Sequence, residues 1–320
     1  MMKRVFGPVP SRRLGQSLGI DPIPLKTCNW NCVYCQLGRT RPVTNERRAF
    51  FKKEVIFSQV KEALDRHKPG DIDWITFVGS GETMLQKGLD EMIGGIKGFT
   101  DIPVAVITNG SLLYRPEVRR ELLDSDAVLP SLDAGNPSLY RRINRPHPAC
   151  TFERLVNGLI AFREEYQGYL WVEVMLLKDV NDDESSLREI AEYLEKINPD
   201  EIHVTQPTRP PAETWVKPPD KTGLKRAHAI LGGVAKIILP AKGSFDFSSD
   251  ENLLESILGV ISRHPMKESE LMDALSKWSS DDVRDTLKQL ADSDRAQLVI
   301  RGGVRFWSTS EAYYANSKHR

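Results

Sequence analysis

Cysteine is scarce in this sequence, with four in 320 residues, and no second cysteine pair stands downstream of the first group. That excludes a disulfide scaffold and points to a reducing compartment. No apolar run is long enough to span a bilayer. The opening Met-Met-Lys-Arg-Val-Phe-Gly-Pro also lacks the apolar core of a secretory signal, so the chain is expected in the cytoplasm with no membrane partner. Histidine is thin as well: six in all, the first at His67, so none is placed to complete a zinc knot with the cysteines. Charge of one sign is absent overall, with 44 basic and 44 acidic residues, but the balance hides an asymmetry. Residues 1–70 hold fourteen Lys/Arg against five Asp/Glu, a net of +9. Much of that excess is Arg39, Arg41, Arg47, Arg48, Lys52 and Lys53. It reads either as a solvated face or as a docking surface for an anionic partner, RNA among the candidates.

Three of the four cysteines fall in Thr27-Cys28-Asn29-Trp30-Asn31-Cys32-Val33-Tyr34-Cys35, a C-x3-C-x2-C spacing. Thiolates bind iron and zinc, and one short loop can wrap three of them around a single centre. A 4Fe–4S cluster usually takes four cysteines. Three ligands leave one iron open to a substrate or cofactor, which suggests chemistry rather than electron storage. Cys150 stands alone and reads as an inert thiol rather than a ligand.

After the cysteines the chain alternates between strand and helix. The predicted strands are Leu18–Ile20, Trp74–Val78, Val104–Ile107, Ala127–Leu132, Leu170–Leu177 and Ile202–Val204. Helices are predicted over Glu54–Arg66, Leu85–Ile96, Pro116–Leu123, Phe152–Glu165 and Glu184–Ile197. Residues 1–16 read as an irregular lead, and Arg141–Pro148 as a basic loop that is either a plain exposed loop or an anion-binding one. This order predicts an α/β fold with a parallel sheet, a partial (β/α)6 barrel over residues 1–240. In such a barrel active groups gather where strands end. The polar residues there are Gly79-Ser80-Gly81-Glu82, Asn109, Ser131 and Asp133. Each also fits a turn or a cap, but Glu82 sits beside backbone amides suited to a zwitterionic ligand. Glu173, inside Trp171–Met175, needs a partner if it points inward.

A polar stretch at 241–249 reads as a linker. Residues 250–320 then predict three helices and a hairpin around Gly302-Gly303, resembling a small winged-helix domain. Its presumed recognition helix opens Ser279-Ser280-Asp281-Asp282, and acids there would repel DNA phosphates. A protein-docking or substrate-presenting role therefore fits better than transcription, although Arg301 and Arg305 on the wing still allow an RNA contact.

The cysteine loop, with Tyr34 just before its third cysteine, resembles the radical S-adenosylmethionine (SAM) superfamily. The resemblance implies that Cys28, Cys32 and Cys35 hold a 4Fe–4S cluster whose open iron chelates SAM, and that reduction cleaves SAM to a 5'-deoxyadenosyl radical. It implies SAM contacts at Tyr34, at Gly81-Glu82 for the amino group, and at Asn109, Ser131, Asp133 and Glu173. An electron donor such as flavodoxin or ferredoxin follows from the same resemblance. Phe6–Gly15, Gln36–Thr40 and Pro207–Pro211 are similar to the wyosine-type tRNA synthases, although those carry further cysteines and lack this tail. No catalytic residue is assigned. The expected reaction is hydrogen abstraction from RNA, a peptide or a small metabolite. The alternatives are an activase that installs a radical on a partner protein, and an iron–sulfur redox sensor.

Overall fold

Parallel strands, each followed by a helix that covers the sheet, build most of the computed structural model, which describes residues 3–239, 253–275 and 278–315. The sheet opens with an antiparallel ribbon, β1 (Val5–Ser11) and β2 (Gly15–Ile20). Helix α1 (Lys53–Arg66) then leads to β3 (Trp74–Val78), which pairs parallel with β2. A single 3-10 turn, Thr83–Leu85, and α2 (Leu89–Lys97) lead to β4 (Val104–Ile107). Helix α3 (Pro116–Arg120) precedes β5 (Ala127–Leu129), and α4 (Pro137–Ile143) and α5 (Phe152–Glu165) precede β6 (Tyr169–Met175). The unit closes with α6 (Glu184–Ile197), β7 (Glu201–Thr205), α7 (Lys221–Leu231) and β8 (Ala235–Ile237). Strand order in space equals order in sequence, and every pairing after β1–β2 is parallel.

The expected alternation is present, with four differences. The lead expected to be irregular is β1, whose Pro8 and Pro10 are tolerated because it is the outer strand of the sheet. Arg141 and Arg142 lie not in a loop but in the last turn of α4, which Asn136 caps by accepting from Leu139 N and Pro137 starts. The strand expected over 127–132 ends at Leu129, although Ser131 still bridges to Glu173 of β6. Helix α7 and strand β8 extend the sheet beyond the predicted set.

The core lies between sheet and helices. Ile20, Phe77, Val106, Val128, Val174 and Val204 are fully buried from the strands, with Ile56, Val60, Ile93, Leu159 and Ile190 from the helices. In α1 the buried Ile56, Val60 and Ala63 recur at three- and four-residue steps, which puts them on one face.

The C-terminal part contains α8 (Leu253–Ile261), β9 (Met266–Lys267), α9 (Glu268–Ala274), α10 (Ser280–Asp292), β10 (Ala296–Arg301) and β11 (Val304–Thr309). The strands pair antiparallel in the order β10-β11-β9 over a separate small core that includes Ile257, Leu271, Val283, Leu287 and Trp307. Ser279 caps α10 by accepting from Asp282 N. The expected linker at 241–249 lies outside the described residues.

Candidate active site

The cysteine loop follows β2 and is pinned to the end of β3 by main-chain bonds. Lys26 N donates to Ser80 O at 2.8 Å and Glu82 N to Thr27 O at 2.9 Å. Gly81 permits this contact, since a Cβ there would stand 2.0 Å from Thr27 O. Each cysteine sulfur then receives one N–H donor. Trp30 N donates to Cys28 Sγ at 3.4 Å, Asn144 Nδ2 to Cys32 Sγ at 3.8 Å, and Lys26 Nζ to Cys35 Sγ at 3.3 Å. Such donors stabilise sulfur-centred negative charge and tune a metal centre. Burial pushes the Cys28 thiol up to about 12, with the Glu82 carboxylate adding to it, and pushes Cys32 well above its ordinary value. A metal centre must therefore displace these protons.

Among the described residues no group of three or more His, Cys, Asp or Glu converges closely enough for a single metal ion. A polynuclear cluster takes its thiolates on separate irons, and three cysteines around one cavity suit it.

That cavity has a volume of ≈ 420 Å³ and is lined by Cys28, Cys32, Tyr34, Cys35, Gly81, Glu82, Asn109, Ser131 and Glu173. Nine of the ten residues singled out from the sequence therefore meet at one place. The tenth, Asp133, does not line it. Asp133 is buried and accepts from Tyr34 Oη at 2.5 Å, Asn144 Nδ2 at 2.6 Å and Met175 N at 2.9 Å. It thus ties the cysteine loop to the end of β6 and braces two groups beside Cys32.

Glu82 is also buried and already engaged. Its carboxylate accepts from Met84 N at 2.9 Å, from Asn109 N at 2.7 Å and from the Thr108 hydroxyl. Burial raises its pKa against these three donors. Asn109 donates to Asn29 Oδ1 at 2.7 Å and accepts from Ser111 N at 2.9 Å, so its amide is oriented from within the protein. Glu173 finds the partner its strand position requires in Arg13, with which it forms an ion pair.

Several lining groups lay outside the predicted set. Arg12, Arg13 and Arg209 face the cavity, as does His264 from the C-terminal part. Arg12 and Arg13 stood in the lead expected to be irregular, and Arg209 in the segment after the predicted strand Ile202–Val204, but none was singled out as a site residue. The sulfur donors Lys26 and Asn144 are likewise single polar residues without a motif.

The C-terminal part packs directly on this site. Arg263 donates to Lys3 O at 2.7 Å, its guanidinium lies over Phe6 at 4.5 Å from the ring centre, and it stands 3.6 Å from Asp21. Arg209 donates to Pro265 O at 3.3 Å. The basic run after the cysteines is largely paired internally. Arg39 bonds Glu213, Arg47 bonds Glu121, Arg48 bonds Glu46 and Lys53 bonds Glu91, while Arg41 lies over the Tyr313 ring.

The family model for the radical SAM superfamily matches residues 23–194. A UPF0026 protein of Methanocaldococcus jannaschii is 40% identical over 280 residues, covering 86% of this chain and 87% of that one. A Brachyspira hyodysenteriae protein named GTPase Obg is 40% identical over 311 residues, covering 94% of this chain but 44% of its own length. Among solved structures, Streptococcus suis SuiB bound to S-adenosylmethionine aligns with a TM-score of 0.50 at 17% identity, covering 66% of this chain and 45% of that one.

Proposed function

The chain belongs to the radical SAM superfamily, whose members use a 4Fe–4S cluster and SAM, and on that premise we propose that Cys28, Cys32 and Cys35 hold the cluster for hydrogen abstraction from a substrate in the same cavity. When bound, the cluster supplies the electron that splits SAM into methionine and a 5'-deoxyadenosyl radical, which takes a hydrogen atom from substrate to leave 5'-deoxyadenosine. The observation that carries this reading is the convergence of three donor-assisted cysteine sulfurs with Glu82 on one cavity.

The protein's own residues would then position and shield. A carboxylate offers about four acceptor sites, and Glu82 uses three on its own chain, leaving one for an ammonium group. Gly81 lets the main chain come close, Asn109 is held by Asn29 and Ser111, and Ser131 lines the opposite strand end. Asp133 serves as a positioning residue that fixes Tyr34 and Asn144 behind Cys32. We assign residues 1–240 to the catalytic unit, 241–249 to a linker, and 250–320 to a module that walls the cavity through His264. Excluding water protects a radical from quenching. The internal pairing of the basic run favours a small substrate over RNA or a partner protein. A small redox protein such as flavodoxin or ferredoxin would deliver the electron.

Anaerobic reconstitution with iron and sulfide, followed by dithionite and SAM, is expected to yield 5'-deoxyadenosine and methionine. A chain that takes up the cluster yet leaves SAM intact would sink the reading.

A further inference from the structure

The cavity holds more positive charge than it neutralises. Arg12, Arg13 and Arg209 all line it, and Arg13 is balanced by Glu173. Among the described residues Arg12 and Arg209 make no ion pair. Arg12 donates to the Thr208 hydroxyl at 2.7 Å and Arg209 to the Pro265 carbonyl at 3.3 Å. Both partners are neutral, and each guanidinium has five N–H donors, so most of both forks is unspent. Burial pushes Arg209 down to about 10, with the charge of Arg12 adding to it. Burial and then Arg209, Arg263 and Arg12 hold His264 well below its ordinary value. These half-buried groups line one cavity. Glu270, the acid felt at Arg209, is tied to Lys267 at 3.1 Å instead.

Guanidinium groups withdrawn from water without a counter-charge are costly, and a bound anion relieves that cost. Two unbalanced cations call for two negative charges on one ligand group. A phosphate monoester is a dianion near neutral pH, matches the guanidinium fork and accepts from several donors at once. A nucleic-acid backbone diester carries only one charge per phosphate. We propose that Arg12, which bonds Thr208, and Arg209, the residue after it, bind the terminal phosphate of a small phosphorylated substrate in the cavity that His264 also lines. The proposal rests on the reaction proposed above and gives that substrate its chemical class.

The test uses the reconstituted full-length protein under anaerobic conditions, at constant ionic strength and about pH 8, where phosphate is dianionic. Calorimetric titration with inorganic phosphate is expected to show saturable binding, with acetate and dimethyl phosphate weaker by about tenfold or more. Arg12→Gln and Arg209→Gln are each expected to weaken phosphate by about tenfold or more, while SAM affinity changes by less than about twofold. Arg209→Lys keeps the charge but not the fork and should fall between, which covers the case that the glutamine variant does not fold. Absence of phosphate binding, or binding that both glutamine variants leave unchanged, overturns the proposal. So does a parallel fall in SAM affinity, which would place the arginines at the SAM carboxylate, or equal binding of dimethyl phosphate, which would indicate a diester. 5'-Deoxyadenosine formation, assayed on the same wild-type preparation, reads the parent reaction separately.

Discussion

The hydroxyl of Tyr314 donates to the main-chain carbonyl of Gln36 at 2.5 Å, so a residue near the end of the chain holds the peptide that follows Cys35. Around it, Arg39 N donates to Tyr313 O at 2.6 Å and Gln36 Nε2 to Arg263 O at 3.0 Å. Gly38 makes the close approach feasible, because a Cβ there would stand 2.3 Å from Tyr313 O and its φ of +75° suits glycine. The C-terminal part is thus built into the cysteine loop rather than tethered beside it.

Removing that hydroxyl should loosen the loop. Tyr314→Phe loses the bond to Gln36 and the contact with Ser308 Oγ at 3.0 Å. The expected cost is about 1 kcal/mol of stability, with faster release of iron to a chelator from the reconstituted protein. Iron release at the wild-type rate would show that the tail does not brace the cluster loop.

The four cysteines should separate cleanly. Serine at Cys28, Cys32 or Cys35 is expected to abolish stable iron binding, because each would remove one of only three thiolates. Cys150→Ser should retain the iron. Burial pushes the Cys150 thiol up to about 11, and its sulfur is engaged with Asn45 Oδ1 at 3.3 Å and Asn29 Nδ2 at 3.5 Å. Its alkylation near neutral pH should therefore be slow, as followed by mass spectrometry of the intact chain. Loss of iron in the Cys150→Ser protein would identify a fourth ligand instead.

The two kinds of residue differ in how far the sequence reveals them. Cys28, Cys32 and Cys35 were visible as a spacing, and Gly81-Glu82, Asn109 and Ser131 as polar residues after apolar runs, because a parallel sheet puts strand ends together. Asp133 was visible by the same logic but does not line the cavity, and its carboxylate instead accepts from Tyr34, Asn144 and Met175. Strand β1 was hidden by Gly7, Pro8 and Pro10, which are tolerated only at a sheet edge. Arg12, Arg209 and His264 were hidden for a different reason. Arg12 and Arg209 lie far apart in sequence and meet within the barrel unit, where Arg12 donates to the Thr208 hydroxyl, and only His264 is added by the C-terminal part.

Two glycine substitutions should move stability in opposite directions. Gly81→Ala sets a methyl group against Thr27 O, a main-chain atom that cannot swing aside, in the turn that abuts the cysteine loop. Overpacking of this kind costs about 1–3 kcal/mol and should weaken SAM binding as well. Gly94→Ala, inside α2 with open space around the added carbon, should instead stabilise by about 0.5–1 kcal/mol. Denaturant midpoints of the two variants check the contrast. A harmless Gly81→Ala would mean the turn has freedom that its packing denies.

Stability should also fall on mild acidification because of His203, well away from the cysteines in sequence. This β7 side chain is buried, and burial holds its pKa below the ordinary 6.5, against the opposing hydrogen bond that its Nε2 makes to the Glu201 carboxylate at 2.9 Å. The charge of Arg13 adds to the depression, and Lys236 acts in the same direction more weakly. In the unfolded chain the imidazole takes up its proton near 6.5, while in the folded protein it stays neutral to lower pH. The unfolded state therefore binds more protons in that window, so stability is level above it and declines as pH drops through it. Glu201 titrates below its ordinary 4.5, so its own contribution is lost only at lower pH. Between about pH 7 and about pH 5.5, the wild type should lose more stability than His203→Gln, measured by anaerobic urea unfolding of both proteins. Equal losses in the two would assign the acid sensitivity to another group.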